Sequence, residues 1–373
     1  MSLREKLAEM LQRVNPQDIV TTRFHSRDFN TSRAEYLSIR IRTLALLFAI
    51  MAPLWIPIDY LVLEGTLFWK VVALRLLFSA ALFGLTRWGT HCNNLTAARM
   101  RVFLFILIPG LFFMVSHLLF REAGAEHSVL LGYAFLPLLM MALLTIVPLT
   151  LLEGLAFVAM ITAYFVVTKL LLGTLTTLGA LSDLWLLLLL GLIALWVTMS
   201  QLHMLMRLYR EATRDALTGL VNRRVLSTKL ENELAQSERP LALLLFDLDL
   251  FKRINDTYGH HTGDNVLKVF AQVLNEHCTG NCVAGRYGGE EFMAILPDCA
   301  REEAVALAEK IRAACHDYTV HSSEDEPREV NFTTSVGVSM HRDGETAEEL
   351  LNRVDEGLYK AKSGGRDLVV FAD

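Results

Sequence analysis

Two segments in the second half of the sequence place acids and bases where an apolar run ends. One apolar run ends in Asp247 and Asp249, separated by a single residue, so both are expected on one face at the end of a strand. Paired carboxylates at a strand end suit divalent metal ions, and Lys252 beyond them offers a positive charge to a phosphate. For this segment alone, the alternative is a capped strand with solvated acids.

The second segment, Arg-Tyr-Gly-Gly-Glu-Glu-Phe at 286–292, lies between two apolar runs. Its glycine pair predicts a hairpin turn, with Glu290 and Glu291 on the returning strand. Further along, Ala-Lys-Ser-Gly-Gly-Arg-Asp at 361–367 ends a predicted helix in glycines. Backbone amides and two cations would meet there, which predicts a phosphate cradle.

The elements that must position these segments alternate between helices and apolar strands, which predicts an α/β sandwich with one sheet. Helices are predicted near 222–237, 263–277, 301–316 and 346–362, and strands near 241–248, 282–287, 291–297, 331–340 and 367–372. The residues that could do chemistry therefore fall at the ends of strands and helices.

Four motifs, in order, resemble the GGDEF family of diguanylate cyclases in its GGEEF variant. They are Asp-Ala-Leu-Thr-Gly-Leu-Val-Asn-Arg-Arg (215–224), Phe-Asp-Leu-Asp-Leu-Phe-Lys-Arg-Ile-Asn-Asp (246–256) with Gly-His-His-Thr-Gly-Asp (259–264), the Gly-Gly-Glu-Glu-Phe hairpin, and Ala-Lys-Ser-Gly-Gly-Arg. The resemblance covers residues 215–373. It implies a mixed sheet flanked by helices, similar to the palm of adenylyl cyclases and polymerases, and an enzyme that condenses two GTP into cyclic di-GMP and two pyrophosphates.

The resemblance also implies a role for individual residues. Asp247 and Glu290 become metal-ligating carboxylates, with the Leu248 carbonyl and Glu291 as further members of a catalytic site that binds Mg²⁺ or Mn²⁺, two ions per site. The remaining matches are substrate contacts: Lys362, Arg366 and Lys252 for the triphosphate, Asn255 and Asp264 for guanine, and Gly288 and Gly289 for close approach of the backbone.

Two further expectations follow from the resemblance. The product needs two reciprocal attacks while one protomer holds one GTP, which implies a two-fold homodimer. Many family members carry an inhibitory Arg-x-x-Asp motif shortly before the hairpin. Here positions 279–282 read Thr-Gly-Asn-Cys, so inhibition by tightly bound product at that place is not expected.

The two halves of the chain differ in charge and hydropathy. Residues 1–214 are net positive and residues 215–373 are net negative, and the mean hydropathy of the chain is +0.37. A net acidic domain argues against nucleic acid as a partner. Six apolar runs approach the ~20 residues that a helix needs to cross a bilayer. These predicted spans are 41–63, 67–86, 102–120, 129–150, 155–172 and 184–204.

The distribution of arginines gives an orientation. Arginines lie before the first span, between the second and third, and after the last, which places both termini in the cytoplasm. Together with the resemblance, this implies a multi-pass protein of a bacterial inner membrane. The predicted organisation is a cytoplasmic segment (1–40), a six-helix transmembrane sensor (41–204), a signalling helix or linker (205–216) and the cyclase domain (217–373). Polar residues within the spans indicate either structural pairing or a site for an unidentified small-molecule or protein signal.

Alternatives stay open for the activity, for one segment and for two cysteines. The chain could be a non-catalytic GTP or cyclic di-GMP receptor, or a transporter or channel with a regulatory domain. The continuous segment 196–216, which lacks Gly and Pro, is either a signal-transmitting helix or a plain linker. The thiols of Cys278 and Cys282 are expected to be free in a reducing compartment, with metal ligation as the alternative.

Overall fold

The chain divides into two compact units, Met1–Leu208 and Tyr209–Asp373. The structure, a computed structural model, describes residues 16–88, 94–123, 132–235, 239–322 and 328–373. The first fifteen residues of the predicted cytoplasmic segment, and residues 129–131 at the start of the predicted fourth span, lie outside the described residues.

The first unit is helical, as predicted. Its helices are α1 (Pro16–Val20), α2 (Arg27–Met51), α3 (Ile56–Val62), α4 (Gly65–Arg87), α5 (Leu95–Glu122), α6 (Leu136–Leu144), α7 (Leu151–Leu171) and α8 (Leu178–Thr213). Among the described residues, five helices are long and apolar enough to cross a membrane: Asp28–Val62, Gly65–Arg87, Leu95–Glu122, Leu151–Leu171 and Leu178–Thr213.

The segment predicted as the fourth span contains a shorter apolar helix, Gly132–Leu144. Near its start, the Tyr133 hydroxyl donates to Asp59 Oδ1 at 2.7 Å. After its end, the Pro148 carbonyl accepts from Arg33 Nη2 at 2.9 Å. Arg33 lies near the start of α2 and Asp59 in α3, roughly 40 Å apart at 1.5 Å per helical residue. The segment therefore runs from one end of the helical unit to the other.

Arg75, a charged residue within the second predicted span, forms an ion pair with Asp59. Its Nε donates to Asp59 Oδ2 at 2.8 Å and its Nη2 to Asp59 Oδ1 at 3.2 Å. The Tyr133 hydroxyl also contacts both partners. The ion pair is buried, and it joins α3, α4 and the segment before α6.

Glu153 belongs to a second polar cluster at the other end of the unit. It caps the start of α7 through Thr150, pairs with the buried Arg33, and accepts from Arg99 Nε at 2.6 Å. Two arginines thus share one carboxylate, in the part of the unit that the charge pattern assigns to the cytoplasmic side.

The second unit is a mixed sheet flanked by helices, as predicted. Its helices are α9 (Arg223–Leu234), α10 (Phe251–His277), α11 (Arg301–Ala314) and α12 (Ala347–Ser363). Its strands are β1 (Val221–Asn222), β2 (Leu241–Leu248), β3 (Val283–Arg286), β4 (Glu291–Pro297), β5 (Val320–His321), β6 (Glu329–Val330), β7 (Thr334–Met340) and β8 (Val369–Phe371). Six strands form the main sheet in the order β1-β3-β4-β2-β7-β8, while β5 and β6 form a separate ladder.

Strand β2 lies in the middle of this sheet, with antiparallel β4 and β7 on either side. Every residue of β2 is buried. Because side chains alternate along a strand, Leu244 and Phe246 join a core with α10 and α11. Leu243 and Leu245 join a second core with α9 and α12. Burial on both faces explains why β2 is a continuous apolar run.

Helix α10 differs from the sequence prediction, which began the helix near residue 263. It starts at Phe251 and contains a kink at Gly259, whose φ of 81° and ψ of 160° are not helical. A side chain at that φ would be strained, so glycine permits the kink. The sequence also missed the two-residue strands β1, β5 and β6, which are too short to carry a period.

The expectation of free thiols at Cys278 and Cys282 is wrong, because the structure joins the two cysteines in a disulfide. Their Cα atoms are 5.3 Å apart, where the chain turns from the end of α10 towards β3. The sequence argument considered only the reducing compartment, whereas the turn brings the two residues within bonding distance. Cys299 and Cys315 are free and buried.

Substitution of Asp59 by Asn should destabilise the helical unit, because it leaves the buried Arg75 guanidinium without a counter-charge. Loss of one partner of a buried ion pair typically costs about 3 kcal/mol or more. We expect a clearly lower thermal unfolding temperature for the full-length protein in detergent. Asp183→Asn is the matched control, since Asp183 is half exposed and 3.8 Å from Lys169. Equal melting of both variants would contradict a structural role for the Arg75–Asp59 pair.

Candidate active site

Strand pairing brings the two predicted metal-binding acids to one end of the sheet. Asp247 is the direct partner of Glu291 in the β2–β4 ladder. The Leu248 amide donates to the Glu290 carbonyl at 3.3 Å. The predicted hairpin of β3 and β4 is present, and its turn lies beside the end of β2. Residues separated by some forty positions in the sequence therefore meet because β2 and β4 are antiparallel neighbours.

Lys362, from the end of α12, reaches the same place. Its Nζ lies 2.7 Å from Asp247 Oδ2. Burial raises the pKa of Asp247 above its ordinary value, although the hydrogen bond and charge of Lys362 oppose the shift. Burial, followed by the charge of Asp247, also raises the pKa of Glu290. The two carboxylates are thus close enough to repel, and the protein compensates their charge only in part.

The predicted guanine contacts come together across the kink of α10. Asn255 lies before Gly259, and Asp264 lies after it. A Cβ at Gly263 would overlap Asn255 Oδ1, so the Asn255 amide is packed directly against the turn that carries Asp264. The glycine at 263 is required for this close approach, a role that the sequence analysis did not assign.

The hairpin is held by a contact that the sequence analysis also missed. Arg286 donates to the Gly289 carbonyl from Nη2 at 2.6 Å and from Nε at 3.1 Å. The same guanidinium pairs with Asp215 at 3.2 Å. Although partial burial opposes it, hydrogen bonds from Thr218 and then the charge of Arg286 lower the pKa of Asp215. Asp215 and Arg286 both lie in motifs that the sequence analysis quoted, and these motifs were the only sequence signal for the contact.

Other predicted residues are placed less centrally. Lys252 is exposed on the first turn of α10. Glu291 lies against the hairpin turn, since a Cβ at Gly288 would overlap its Oε2. Gly289 has open space around it. Arg366 lies in the turn after α12, near enough to Asp247 for its charge to act there.

Asp249 does not lie on the same face as Asp247, where the sequence analysis expected both acids. Strand β2 ends at Leu248, and the buried Asp249 carboxylate accepts from the Ser335 hydroxyl at 2.6 Å and the Thr333 hydroxyl at 2.7 Å. Alternation along a strand no longer applies beyond its last residue. Asp247 faces the ammonium of Lys362, whereas Asp249 faces Ser335 on β7.

The oxygen donors fit a divalent cation that binds together with a nucleotide. The described residues contain no group of three or more His, Cys, Asp or Glu side chains able to hold a metal ion by themselves. Asp247 and Glu290 instead offer two carboxylates with raised pKa values. Such hard ligands suit Mg²⁺ or Mn²⁺, with phosphates and water completing the coordination.

Comparison with known proteins identifies the second unit. Residues 212–368 match the family model described as diguanylate cyclase, GGDEF domain. Response regulator PleD of Caulobacter vibrioides is 42% identical over 165 residues, which are 43% of this chain and 36% of PleD. Diguanylate cyclase DosC of Escherichia coli K12 is 36% identical over 181 residues, 46% of this chain and 39% of DosC.

Solved structures are similar over the same part of the chain. The GGDEF domain of DgcB from Caulobacter crescentus, in complex with c-di-GMP, is 34% identical with a TM-score of 0.42. That match covers 43% of this chain and 95% of the DgcB chain. The active GGEEF domain of a diguanylate cyclase from Vibrio cholerae is 32% identical with a TM-score of 0.38, covering 41% and 98%.

The second unit of this chain is therefore a GGDEF domain, in agreement with the resemblance of its motifs. The chain spans well under half the length of the curated relatives named above, and the matched residues all belong to this domain. The helical unit has no part in the family match.

The raised pKa of Glu290 predicts that Glu290→Gln will not destabilise the metal-free protein. A carboxyl group whose folded pKa lies above its unfolded value favours folding below the unfolded pKa and loses that contribution as pH rises through the folded pKa. At pH 7 the ionised Glu290 is therefore unfavourable, and neutral Gln should raise the unfolding temperature of the domain in chelator. The difference from wild type should shrink as the pH falls towards 4.

Glu276→Gln is the control of opposite sign, because a hydrogen bond from Tyr318 lowers the pKa of Glu276. It should leave the unfolding temperature at pH 7 unchanged or lower. The measurement is thermal unfolding of the full-length protein in detergent, with hydrogen exchange in β2 reporting on the domain. A lower unfolding temperature for Glu290→Gln than for Glu276→Gln would overturn the electrostatic account.

Proposed function

We propose that this chain is a membrane-anchored diguanylate cyclase, in which two GTP are condensed to cyclic di-GMP and two pyrophosphates under control of the helical unit. The observation that carries the proposal is the meeting of Asp247, Glu290 and Lys362 at the hairpin end of a GGDEF domain. Two carboxylates that can bind metal ions and an ammonium group that can bind phosphates lie within one site. Similar proteins such as the diguanylate cyclase DosC agree with this chemistry.

Each residue acts in a distinct way in the proposed reaction. Lys362 and Arg366 bind the triphosphate, with Lys252 as an outer contact, and Asp247, Glu290 and the Leu248 carbonyl hold divalent cations. When bound, two Mg²⁺ ions would lower the pKa of the attacking ribose 3′-hydroxyl and stabilise the departing pyrophosphate. The 3′-oxygen forms a bond to the α-phosphorus of the other nucleotide as the bond to pyrophosphate breaks.

Asn255 and Asp264 are proposed to read the guanine base. A carboxylate accepts hydrogen bonds from guanine N1 and its exocyclic amine, whereas adenine offers no donors at those positions. The side chain of Asn255 packs against Gly263, next to Asp264, which supports a single shared base site. Gly288 and Gly289 allow the backbone of the hairpin to approach the nucleotide.

The proposed reaction requires two copies of the chain. One site holds one GTP, and each 3′-hydroxyl attacks the other nucleotide, so two sites must face each other across a two-fold axis. A homodimer with opposed hairpins satisfies this requirement. Misplacement by about an ångström can cost about 100-fold in rate, so control of the dimer geometry suffices for regulation.

A bilayer location is supported by the chemistry of the two ends of the helical unit. The exposed Trp55 lies just before α3, and the exposed Trp69 and Trp185 lie near the starts of α4 and α8, positions that fit the aromatic belts of membrane proteins. Arg33 and Arg99 lie at the other end. Among the described residues, five helices are long and apolar enough to cross a membrane, and the sixth pass of the sequence prediction remains a proposal for the shorter 132–148 segment. We therefore propose a bacterial inner-membrane protein whose catalytic domain is cytoplasmic, where GTP is available, and whose signal is not yet identified.

The direct test is product analysis of the purified full-length protein in lipid with GTP and Mg²⁺. Wild type should form cyclic di-GMP and pyrophosphate, and Glu290→Gln should form at least roughly 100-fold less, since it removes a metal-binding charge. Glu276→Gln, a substitution in the last turn of α10, should retain activity. Binding of GTP without turnover would instead indicate a receptor, and solute flux in vesicles without turnover would indicate a transporter.

Asp264→Ala should reduce the preference for GTP over ATP, because it removes the acceptor for guanine donors. We expect the ratio of the two affinities to fall roughly tenfold or more, while binding of the triphosphate is retained. Asp343→Ala, an exposed acid in another loop, is the control. Competition binding with both nucleotides measures the ratio, and an unchanged ratio would exclude Asp264 as the base reader.

Product inhibition should be weak at the place where the family's Arg-x-x-Asp motif lies. Here Thr279 begins the segment and Cys282 ends it in a disulfide with Cys278, so neither a guanidinium nor a carboxylate is offered. Initial rates titrated with cyclic di-GMP at saturating GTP should stay nearly constant. Strong noncompetitive inhibition under those conditions would reveal an inhibitory site elsewhere.

A further inference from the structure

Asp249 is a buried acid whose side chain is held entirely by the protein. Only 6% of the residue is exposed. Its Oδ1 accepts from the Ser335 hydroxyl at 2.6 Å, and its Oδ2 accepts from the Thr333 hydroxyl at 2.7 Å and the Asp367 amide at 3.0 Å. Its own amide donates to the Thr333 carbonyl at 2.9 Å. A buried carboxyl group needs hydrogen-bond partners in place of water, and the side chain of Asp249 has three.

The Asp367 amide belongs to a strained turn. Gly365, Arg366 and Asp367 have φ values of 127°, 65° and 48°. Residues other than glycine disfavour positive φ values. Arg366 and Asp367 can therefore keep this conformation in succession only where surrounding contacts hold them. The Arg366 amide donates to the Ala361 carbonyl at 3.1 Å, which fixes the beginning of the turn to α12.

Asp367 is held from its side chain as well as from its amide. Arg312 Nη1 donates to Asp367 Oδ1 at 2.8 Å, and His316 Nε2 lies 3.0 Å from Oδ2. Asp249 therefore fixes the backbone of the turn, while Arg312 and His316 fix the side chain of Asp367. Arg366, between these anchored points, has a defined position next to Asp247.

We propose that Asp249 is a positioning residue for triphosphate recognition: its carboxylate holds the Gly365–Asp367 turn against the end of β2 and thereby fixes Arg366 at the phosphates. This inference rests on the proposed function, because GTP supplies those phosphates. Asp249 itself touches neither substrate nor metal. In its absence the turn relaxes towards ordinary backbone angles and the Arg366 guanidinium loses its preset position, so each phosphate contact has to be ordered on binding.

The test compares two ligands on the full-length protein in detergent. Asp249→Asn keeps the shape of the side chain but replaces one acceptor oxygen by a donor. Affinity for a non-hydrolysable GTP analogue should fall roughly tenfold to a hundredfold, the usual effect of a lost hydrogen bond to a charged group. Affinity for guanosine should stay within about twofold, because Asn255 and Asp264 are untouched. Ser335→Ala removes one donor but leaves the Asp367 contact, so the GTP analogue should bind nearly as to wild type.

A double-mutant cycle with Arg366→Ala separates positioning from general damage. In the Arg366→Ala protein, Asp249→Asn should cause little further loss of affinity for the GTP analogue. An undiminished effect, or a parallel loss of guanosine binding, would overturn the proposal. Asp367→Ala, which loosens the turn at a partly exposed residue, provides the same comparison if Asp249→Asn does not fold. A wild-type protein that binds no GTP analogue would refute the proposed function itself and is thereby distinguished from failure of this inference.

Discussion

A carboxylate removed from water requires either hydrogen-bond donors or an opposite charge, and the end of β2 contains one acid of each kind. Asp249 has permanent donors from Ser335, Thr333 and a backbone amide. Asp247, two residues earlier, has the partly exposed ammonium of Lys362, and burial keeps its pKa raised. The first arrangement is fixed by the fold, whereas the second can be exchanged for a ligand.

This difference explains how a site can bind cations and a polyanion together. Without ligand, Lys362 and Asp247 neutralise each other. A triphosphate with divalent cations offers the ammonium a phosphate and offers the carboxylate a metal, so neither group is left uncompensated in the proposed complex. Binding of the triphosphate alone would leave Asp247 without a partner, and binding of the metal alone would leave Lys362 without one. The geometry therefore favours cooperative binding of metal and nucleotide, without a preformed metal cage.

The sequence predicted the parts of the fold that follow from local pattern and motif order. Strand β2 could be recognised because burial on both faces makes it uniformly apolar, and the hairpin because of its glycine pair. The first half of α10 could not, since its helix depends on packing of Phe251 and Ile254 and is interrupted by Gly259. The separate roles of Asp247 and Asp249 depend on where β2 ends, which a run of apolar letters does not define to the residue.

The sequence also could not predict the contact between the GGEEF hairpin and the segment that follows α8. Helix α8 is continuous from Leu178 to Thr213, and the Ala212 carbonyl near its end accepts from Asn222 Nδ2 at 3.0 Å. Asp215 follows directly and pairs with Arg286, which holds the Gly289 carbonyl. The segment that follows the end of α8 is thus joined to the hairpin by the Asp215–Arg286 ion pair and the Arg286–Gly289 hydrogen bond, while Leu217 and Leu220 anchor the same segment in the hydrophobic core. Neither the order of the motifs nor the apolar pattern predicts this partly buried ion pair, because it depends on how the segment after α8 folds back beside β3.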